Sequence, residues 1–396
     1  MKILILVDRY KPNPISGARM MEELAIEFTK RKHKVTVLST DHVLNQKYVR
    51  FKDDGIEVIK VNIGKINNPS KIIRTFIEVT LSYRIWVATK KILTKKKYDL
   101  IICYSPTIFW SGLISRLKSL HNTYVYLVLR DLFPHWLVDA KVISKFNPIY
   151  YYFLYMEKKL YNLSSRIGVQ SPKNLDFFKK NIEFSKFEIL YNWTKPEIKK
   201  SLKISKYFEN QIKNKLVLVY GGNIGVAQDI SNILNLAKNL EKNKKIIFLI
   251  IGDGTEYEKI KLIIKKNNFK NVIIHPSILN MEYQAILNKS DIGLISLNKN
   301  LRTENLPGKM LEYMKYSLPI LASINKGNNF DKLIHEHSAG FVSFNGDDKT
   351  FKKNALKLIN DKLMLKKTSK NSKNLLNKIF HVKSAADRIS ESMKIK

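Results

Sequence analysis

The feature that most constrains this chain is the alternation of short apolar runs with longer helical patterns. Runs rich in β-branched residues, such as KILILV at 2–7, KVTVLST at 34–40 and DLIICYS at 99–105, indicate buried strands. The segment ARMMEELAIEFTKRKH at 18–33 repeats apolar residues every three or four positions, which is typical of a helix. Strands that alternate with helices predict parallel βαβ units and therefore an α/β fold.

The pattern stops after Asn192 and then starts again. The stretch at 193–215 is polar and basic and predicts a linker, and further strands follow as KLVLVYGGN, KIIFLIIGDG, VIIHPS, DIGLISL, LPILAS and GFVSF. A length of 396 residues fits two domains. We predict two Rossmann-like domains, 1–195 and 196–377, whose parallel sheets face each other across a cleft, and a helix over about 378–396 that packs back on the first.

Charge and cysteine content narrow the possible partners and compartment. The chain has 70 Lys and Arg against 34 Asp and Glu, a net charge of +36. This excess indicates a polyanionic partner, or a compositional bias toward lysine. The single cysteine, Cys103, fits a reducing compartment, and no apolar run reaches the roughly 20 residues of a spanning helix. We therefore expect a cytoplasmic protein.

A glycine-rich loop follows the first strand of the second domain, in the sequence VLVYGGNIGVAQDI. Gly222, Asn223 and Gly225 stand where a strand gives way to a helix. Glycines there allow backbone to approach a phosphate, and a helix N-terminus offers free N–H groups. The loop predicts either a phosphate contact or an ordinary tight turn.

The segment RTENLPGKMLEYM at 302–314 holds the more specific pattern. Pro307 favours a helix that begins there, which places Lys309 and Glu312 on one face. The N–H groups around Leu306–Gly308 and the Lys309 ammonium suit a diphosphate, and an ionised Glu312 suits the two hydroxyls of a ribose. Glu304, just before the helix, can reach the sugar or its leaving oxygen. The alternative is an amphipathic helix with a surface Lys–Glu pair.

These residues carry a resemblance to glycosyltransferase family 4, which has the two-domain GT-B fold. Glu304 and Glu312, with seven residues between them, match the E-x7-E signature of that family, and KMLEYMKYSLPILAS matches the stretch that follows. The chain departs from the family where Ser317 replaces a common glycine. The N-terminal pattern YKPNPISGARMMEELAIEFTKRKHKVTVLS also resembles the family's first strand, glycine loop and helix.

The resemblance implies a UDP-sugar donor, retention at the anomeric carbon, no cofactor and no essential metal. The family often has a basic pair where this chain has Asn223 and Gln228, which shifts diphosphate binding toward Lys309, Arg302 and backbone amides. In this respect the chain resembles the colanic-acid and O-antigen enzymes, above all the WbuB-type N-acetyl-L-fucosamine transferases. No DxD-like pair appears in a convincing metal site, since KDDG and GDDK are typical of turns.

Residues of the first domain are expected to border the same cleft. Arg130, Asp131 and His135 follow a strand in LVLRDLFPHW. The resemblance places an Asp or His of this region close to the reacting sugar, and we assign that role to Asp131 only. Asp131 joins Glu304 and Lys309 in the predicted catalytic group. A helix N-cap is the alternative for Asp131. Gly17, in PISGAR, allows backbone to approach the diphosphate from the opposite side or is a turn glycine.

Two aromatic, basic-edged segments of the first domain suggest the acceptor. SKIIRTFIEVTLSYRIWVATKKILTKKKYD at 70–99 and FNPIYYYFLYMEKKLY at 146–161 either lie on an anionic membrane or pack in the core. The first alternative suits an undecaprenyl-diphosphate-linked sugar acceptor at the inner face of the plasma membrane. The expected function is hexosyl transfer in O-antigen or capsule synthesis, a lipopolysaccharide-type pathway.

Two other functions remain open at this point. A UDP-sugar 2-epimerase has the same fold but would need further acid and base groups in the cleft. A nucleic-acid-binding protein would show a concentrated basic stripe and a binding motif, whereas these lysines are spread over both domains. We therefore expect no nucleic-acid partner.

Overall fold

The computed structural model divides the chain into two compact units. The first contains Met1–Thr194 together with Val382–Lys396, and the second contains Lys195–His381. The residues that the structure describes are 1–13, 15–64, 77–105, 107–130, 133–134, 138, 143–179, 184–198, 203–301 and 306–394.

A mixed sheet forms the centre of the first unit. Its strands are β1 (Lys2–Val7), β2 (Lys34–Asp41), β3 (Tyr48–Asp53), β4 (Ile56–Asn62), β5 (Leu100–Tyr104), β6 (Tyr124–Leu129), β7 (Arg166–Val169) and β8 (Phe187–Ile189). Within the described ranges their order is β3-β4-β2-β1-β5-β6-β7-β8. Neighbouring strands are parallel except for β3 and β4. The predicted parallel βαβ arrangement is confirmed for the rest of this sheet.

The antiparallel hairpin of β3 and β4 is absent from the sequence prediction. Its turn contains Asp54, with a φ of 51°, and Gly55, with a φ of 79°. Two positive φ values suit a two-residue hairpin turn, for which Asp-Gly is a typical sequence. The strand Tyr48–Asp53 is largely exposed at the sheet edge, so it lacks the apolar run by which the other strands are recognised.

Helices cover both faces of this sheet. They are α1 (Ser16–Lys30), α2 (Leu81–Leu93), α3 (Ser111–His121), α4 (Pro148–Leu163) and α5 (Pro172–Phe177), with a 3₁₀ turn at Phe184–Lys186. One apolar core joins α2, α3 and α4 to the sheet, and the core on the other face joins α1 to a last helix at Val382–Ser392. That last helix is bound to α1 through Arg31, whose guanidinium contacts Asp387 at 2.6 Å.

The second unit contains a fully parallel sheet. Its strands are β9 (Leu216–Gly221), β10 (Ile246–Ile251), β11 (Val272–His275), β12 (Ile292–Ser296), β13 (Ile320–Ile324) and β14 (Gly340–Phe344). Among the residues described, they lie in the order β11-β10-β9-β12-β13-β14. These are the six runs predicted as strands. The order reverses direction at β9 and β12, so the loops after these strands lie beside the point where an α/β sheet typically binds its ligand.

The helices of the second unit begin inside the predicted linker. They are α6 (Lys206–Ile212), α7 (Ile230–Asn239), α8 (Tyr257–Lys266), α9 (Asn280–Asn288), α10 (Lys309–Lys315), α11 (Phe330–Glu336), α12 (Asp348–Asn360) and α13 (Lys362–Leu375), followed by a π-helical turn at Leu376–Phe380; α14 is the helix Val382–Ser392 of the first unit. No helix in the described part of the chain has the length and apolar character needed to cross a bilayer.

Candidate functional site

The loop between β9 and α7 leaves the carboxyl edge of the second sheet. Gly222 has a φ of 132°, which favours glycine. Its N–H donates to the carbonyl of Ile251 at 2.9 Å, and the N–H of Ile224 donates to the carbonyl of Asp253 at 2.8 Å. These two amides hold the loop against the end of β10, so they serve the fold.

The polar side of this loop is formed by Asn223. Its side-chain amide donates to Oε1 of Gln228 at 2.9 Å, and its backbone carbonyl accepts from the hydroxyl of Tyr220 at 2.6 Å. Gly225 is buried beneath this pair, where a β-carbon would lie 2.8 Å from the Asn223 amide nitrogen. Asn223 is itself exposed and can hydrogen-bond to a ligand above the loop.

Lys309 places its ammonium beside the same loop. A β-carbon on Gly222 would lie 3.5 Å from its Cε and 3.7 Å from its Nζ. The Nζ lies 3.8 Å from the ring centroid of Tyr220, a cation–π contact. In the described ranges no carboxylate pairs with this ammonium, and burial lowers the pKa of Lys309 to about 7. A half-buried cation that pairs with no described carboxylate is suited to an anionic ligand.

Two tyrosines, Tyr313 and Tyr283, fix the strand end from which the loop departs. The hydroxyl of Tyr313 accepts the N–H of Gly221 at 3.0 Å and a second hydrogen bond from Tyr283. A β-carbon on Gly221 would lie 1.9 Å from the Tyr283 hydroxyl, so no side chain fits there. The sequence did not reveal that Tyr220, Tyr283 and Tyr313 support this strand end. Tyr220, which directly precedes the glycine pair, was the one sequence signal that could have indicated a tyrosine at this loop.

Glu312 lies one helical turn beyond Lys309 on α10 and is half-buried. Burial, and then the negative charge of Glu312, raise the pKa of Tyr316 to about 12. The charge of Glu312 also contributes to raising the pKa of Tyr283, after burial and Tyr313. The carboxylate therefore lies near these two tyrosines with both of its oxygens buried, and an ionised carboxylate is an acceptor suited to two hydroxyls.

The start of α10 differs from the prediction. The helix begins at Lys309, with Gly308 as its N-cap, so the start predicted at Pro307 is wrong by two residues. The N–H of Met310 donates to the carbonyl of Pro307 at 3.0 Å, which makes a single turn before the regular helix. Leu306 and Pro307 are half-buried and Gly308 is exposed. The proline therefore shapes the approach to the helix.

A turn that favours glycine closes α10 at Ser317, where the chain departs from the family. This residue has a φ of 60°, in the left-handed region, and its N–H donates to the carbonyl of Met314 at 3.0 Å. The N–H of Leu318 then donates to the carbonyl of Tyr313 at 2.9 Å. This closing turn favours glycine, because a β-carbon is strained in that conformation.

Several predicted site residues lie outside the described residues: Asp131, His135, Arg302 and Glu304. Their roles stay predictions. Arg130 is described and is buried in the first unit, where its guanidinium donates to the carbonyls of Leu129 and Tyr191. Gly17 is the second residue of α1, and a β-carbon there would lie 2.7 Å from the ring of Tyr104, so any larger residue would have to displace that ring.

The two acidic pairs of the sequence have local roles. Asp53 and Asp54 lie at the β3–β4 turn, and Asp53 contacts the ammonium of Lys11 at 2.6 Å. Asp347 caps α12 by accepting the N–H of Thr350 at 3.0 Å. Over the residues that the structure describes, no group of three or more His, Cys, Asp or Glu side chains is placed to hold a metal ion.

Comparison with known families covers most of the chain. Residues 17–197 match the family described as Glycosyltransferase Family 4, and residues 203–375 match the family described as Glycosyl transferases group 1. The chain belongs to the glycosyltransferases. The prediction of that enzyme class is confirmed by these two domains.

Curated relatives of this glycosyltransferase match over parts of their length. The probable glycosyltransferase WbjE of Pseudomonas aeruginosa is 26% identical over 219 residues, which is 54% of this chain and 54% of the relative. The putative colanic acid biosynthesis glycosyl transferase WcaI of Escherichia coli is 26% identical over 97 residues, 24% of each chain. The match spans about half the length of WbjE and less of WcaI.

Solved structures match over nearly the whole chain. Sucrose-phosphate synthase of Thermosynechococcus elongatus superposes with a TM-score of 0.70 at 13% identity, over 99% of this chain and 98% of the other. HepE of Anabaena, in complex with UDP and glucose, superposes with a TM-score of 0.63 at 15% identity, over 100% and 99%. At these identities the likeness establishes the fold. The predicted two-domain GT-B architecture is confirmed.

Proposed function

We propose that the protein is a retaining glycosyltransferase that moves a sugar from a UDP donor to a lipid-diphosphate-linked sugar acceptor. The observation that carries this proposal is the Lys309 ammonium, held over Tyr220 and beside Gly222 at the carboxyl edge of the second sheet. A diphosphate placed there would supply a negative charge for this ammonium. Glu312, one turn away, is suited to the ribose diol of the same nucleotide.

In the proposed reaction the acceptor hydroxyl attacks the anomeric carbon from the side on which UDP departs. The departing diphosphate takes the acceptor proton, and Lys309 stabilises the charge that develops on it. Arg302 would bind the same diphosphate, Glu304 would contact the sugar or its leaving oxygen, and Asp131 would hydrogen-bond to the reacting sugar. No carboxylate nucleophile and no metal ion is required by this course.

We infer the donor and pathway from relatives. HepE was solved with UDP and glucose, which supports a UDP-sugar donor. The name of WcaI refers to colanic acid, which supports a bacterial surface polysaccharide as the product. The resemblance to N-acetyl-L-fucosamine transferases narrows the proposed donor to an N-acetylated, 6-deoxy sugar. We propose that the protein works in the cytoplasm on the inner face of the plasma membrane, where an undecaprenyl-diphosphate-linked sugar would be available.

The test is transfer with purified protein, a set of UDP-sugars and a synthetic lipid-diphosphate-linked acceptor. The proposal predicts turnover with UDP-N-acetyl-L-fucosamine, release of UDP and a product whose anomeric configuration, measured by NMR, equals that of the donor. EDTA should leave the rate unchanged. An inverted product would refute the front-face course. Conversion of the UDP-sugar to its 2-epimer without an acceptor would instead identify an epimerase.

A further inference from the structure

The helices on the two faces of the first sheet differ in charge. On one face, α2, α3 and α4 carry one acidic residue, Glu157, which is buried. The same three helices carry seven basic residues: Arg84, Lys90, Lys91, Arg116, Lys118, Lys158 and Lys159. On the opposite face, α1 and α14 carry four basic and five acidic residues. Within the first unit, the basic excess therefore lies on the face formed by α2, α3 and α4.

The outer side of this layer also exposes large apolar side chains. On α4, Ile149 is 48% exposed, Tyr151 59% and Tyr155 62%, and Phe146 just before the helix is 90% exposed. Tyr151 and Tyr155 are four residues apart, so they lie on one side of the helix. The remaining large exposed side chains of the layer are Tyr83, Val87, Leu120 and Tyr152. An apolar patch of this kind, bordered by cations, marks an interaction surface.

The chemistry of the patch favours a lipid surface. Tyrosine carries an apolar ring and a polar hydroxyl, which suits the level of lipid headgroups. Aliphatic side chains such as Ile149, Val87 and Leu120 enter hydrocarbon but offer no ring on which a nucleobase can stack. Exposed lysines at the edge of the patch, Lys90, Lys91 and Lys158, are complementary to anionic headgroups.

We propose that the outer side of α2, α3 and α4 is the membrane-binding face of the protein, and that it lies on an anionic bilayer with the tyrosines of α4 at headgroup level. This assignment rests on the proposed function, because a membrane-binding face would bring that enzyme to its lipid-linked acceptor. The contact itself needs no donor, so it can be measured independently of UDP.

The experiment uses the whole protein and sedimentation with vesicles of phosphatidylethanolamine and phosphatidylglycerol. Neutralising both lysines in Lys158→Gln/Lys159→Gln should weaken binding about thirtyfold, because each cation near an anionic surface contributes about fivefold. The matched control is Lys352→Gln/Lys353→Gln, an adjacent lysine pair on α12 of the second unit. It changes the net charge equally and should leave binding within about twofold.

A second pair of variants tests the apolar part. Tyr151→Ser/Tyr155→Ser should remove the binding that persists in 0.5 M salt, where surface charges are screened. The control Tyr207→Ser, at a tyrosine on α6 that is 51% exposed, should leave that salt-resistant binding unchanged. The assignment would be overturned if both lysine variants lost the same vesicle affinity. It would also be overturned if Tyr151→Ser/Tyr155→Ser bound vesicles as the wild type does, or if the wild type did not bind vesicles. UDP calorimetry on the same samples shows separately whether the donor site is intact.

Discussion

UDP binding should be coupled to uptake of a proton by Lys309. Burial lowers the pKa of this amine to about 7 in the free protein. At pH 8 only about a tenth of the molecules then carry the ammonium, and at pH 6 about nine tenths do. A diphosphate close to the amine raises its pKa, since an opposite charge favours the ionised form. For a bound pKa of about 9 or more, binding at pH 8 takes up close to one proton, about 0.8 to 0.9.

The sign of the pH dependence follows from these values. Below pH 7 the amine is mostly charged before binding, so affinity is near its full value. As the pH rises above 7, the free protein must first acquire the proton, and affinity falls about tenfold per pH unit at most. Between pH 6 and pH 8 the loss that is due to Lys309 is about tenfold.

The assay is calorimetric titration of UDP at pH 8 in two buffers with different ionisation enthalpies. The slope of the observed enthalpy against the buffer enthalpy gives the number of protons exchanged. Lys309→Arg is the matched control, because arginine stays charged at this pH and retains the attraction for phosphate. Protons that UDP itself exchanges contribute equally to both titrations, so they cancel when the two proteins are compared. Equal proton uptake by the wild type and Lys309→Arg would refute the assignment of the exchange to Lys309.

Two further predictions concern the stability of the corner that holds this lysine. Ser317→Gly should raise the free energy of unfolding by about 1 kcal/mol in urea titrations, because glycine has no β-carbon to strain at a φ of 60°; an unchanged or lower value would contradict the backbone argument. Tyr313→Phe should lower the free energy of unfolding by about 1–3 kcal/mol, because it leaves the buried N–H of Gly221 without its acceptor. Tyr316→Phe is its control, since the Tyr316 hydroxyl has no hydrogen-bond partner within the described ranges; equal losses in both variants would show that the Gly221 contact contributes nothing.

The sequence predicted those features of the fold that depend on apolar patterning. Strands β9 to β14 consist mainly of apolar residues, and each was predicted from the sequence alone. The edge strand Tyr48–Asp53 has no buried residue and no continuous apolar run, so apolar patterning did not reveal it. The Asp54–Gly55 turn was the better signal for that hairpin.

The site was predicted less completely because several of its contacts are tertiary. The pattern around Lys309 and Glu312 was visible in the sequence, as was the glycine loop. That Tyr220 lies 3.8 Å from the ammonium, and that Tyr283 and Tyr313 meet at Gly221, depends on elements far apart in the chain. The low pKa of Lys309 follows from this burial and not from any neighbour in the sequence.

The measurement that tests the central claim most directly is UDP binding by calorimetry to the wild type and to Glu312→Ala. Glu336→Ala is the matched control, a glutamate on the equally short helix α11 of the same unit. The account predicts that Glu312→Ala loses about thirtyfold or more in affinity, as expected for a charged hydrogen bond to the ribose, while Glu336→Ala binds as the wild type does. Equal affinity of Glu312→Ala and the wild type, or no binding of UDP to the wild type, would contradict it.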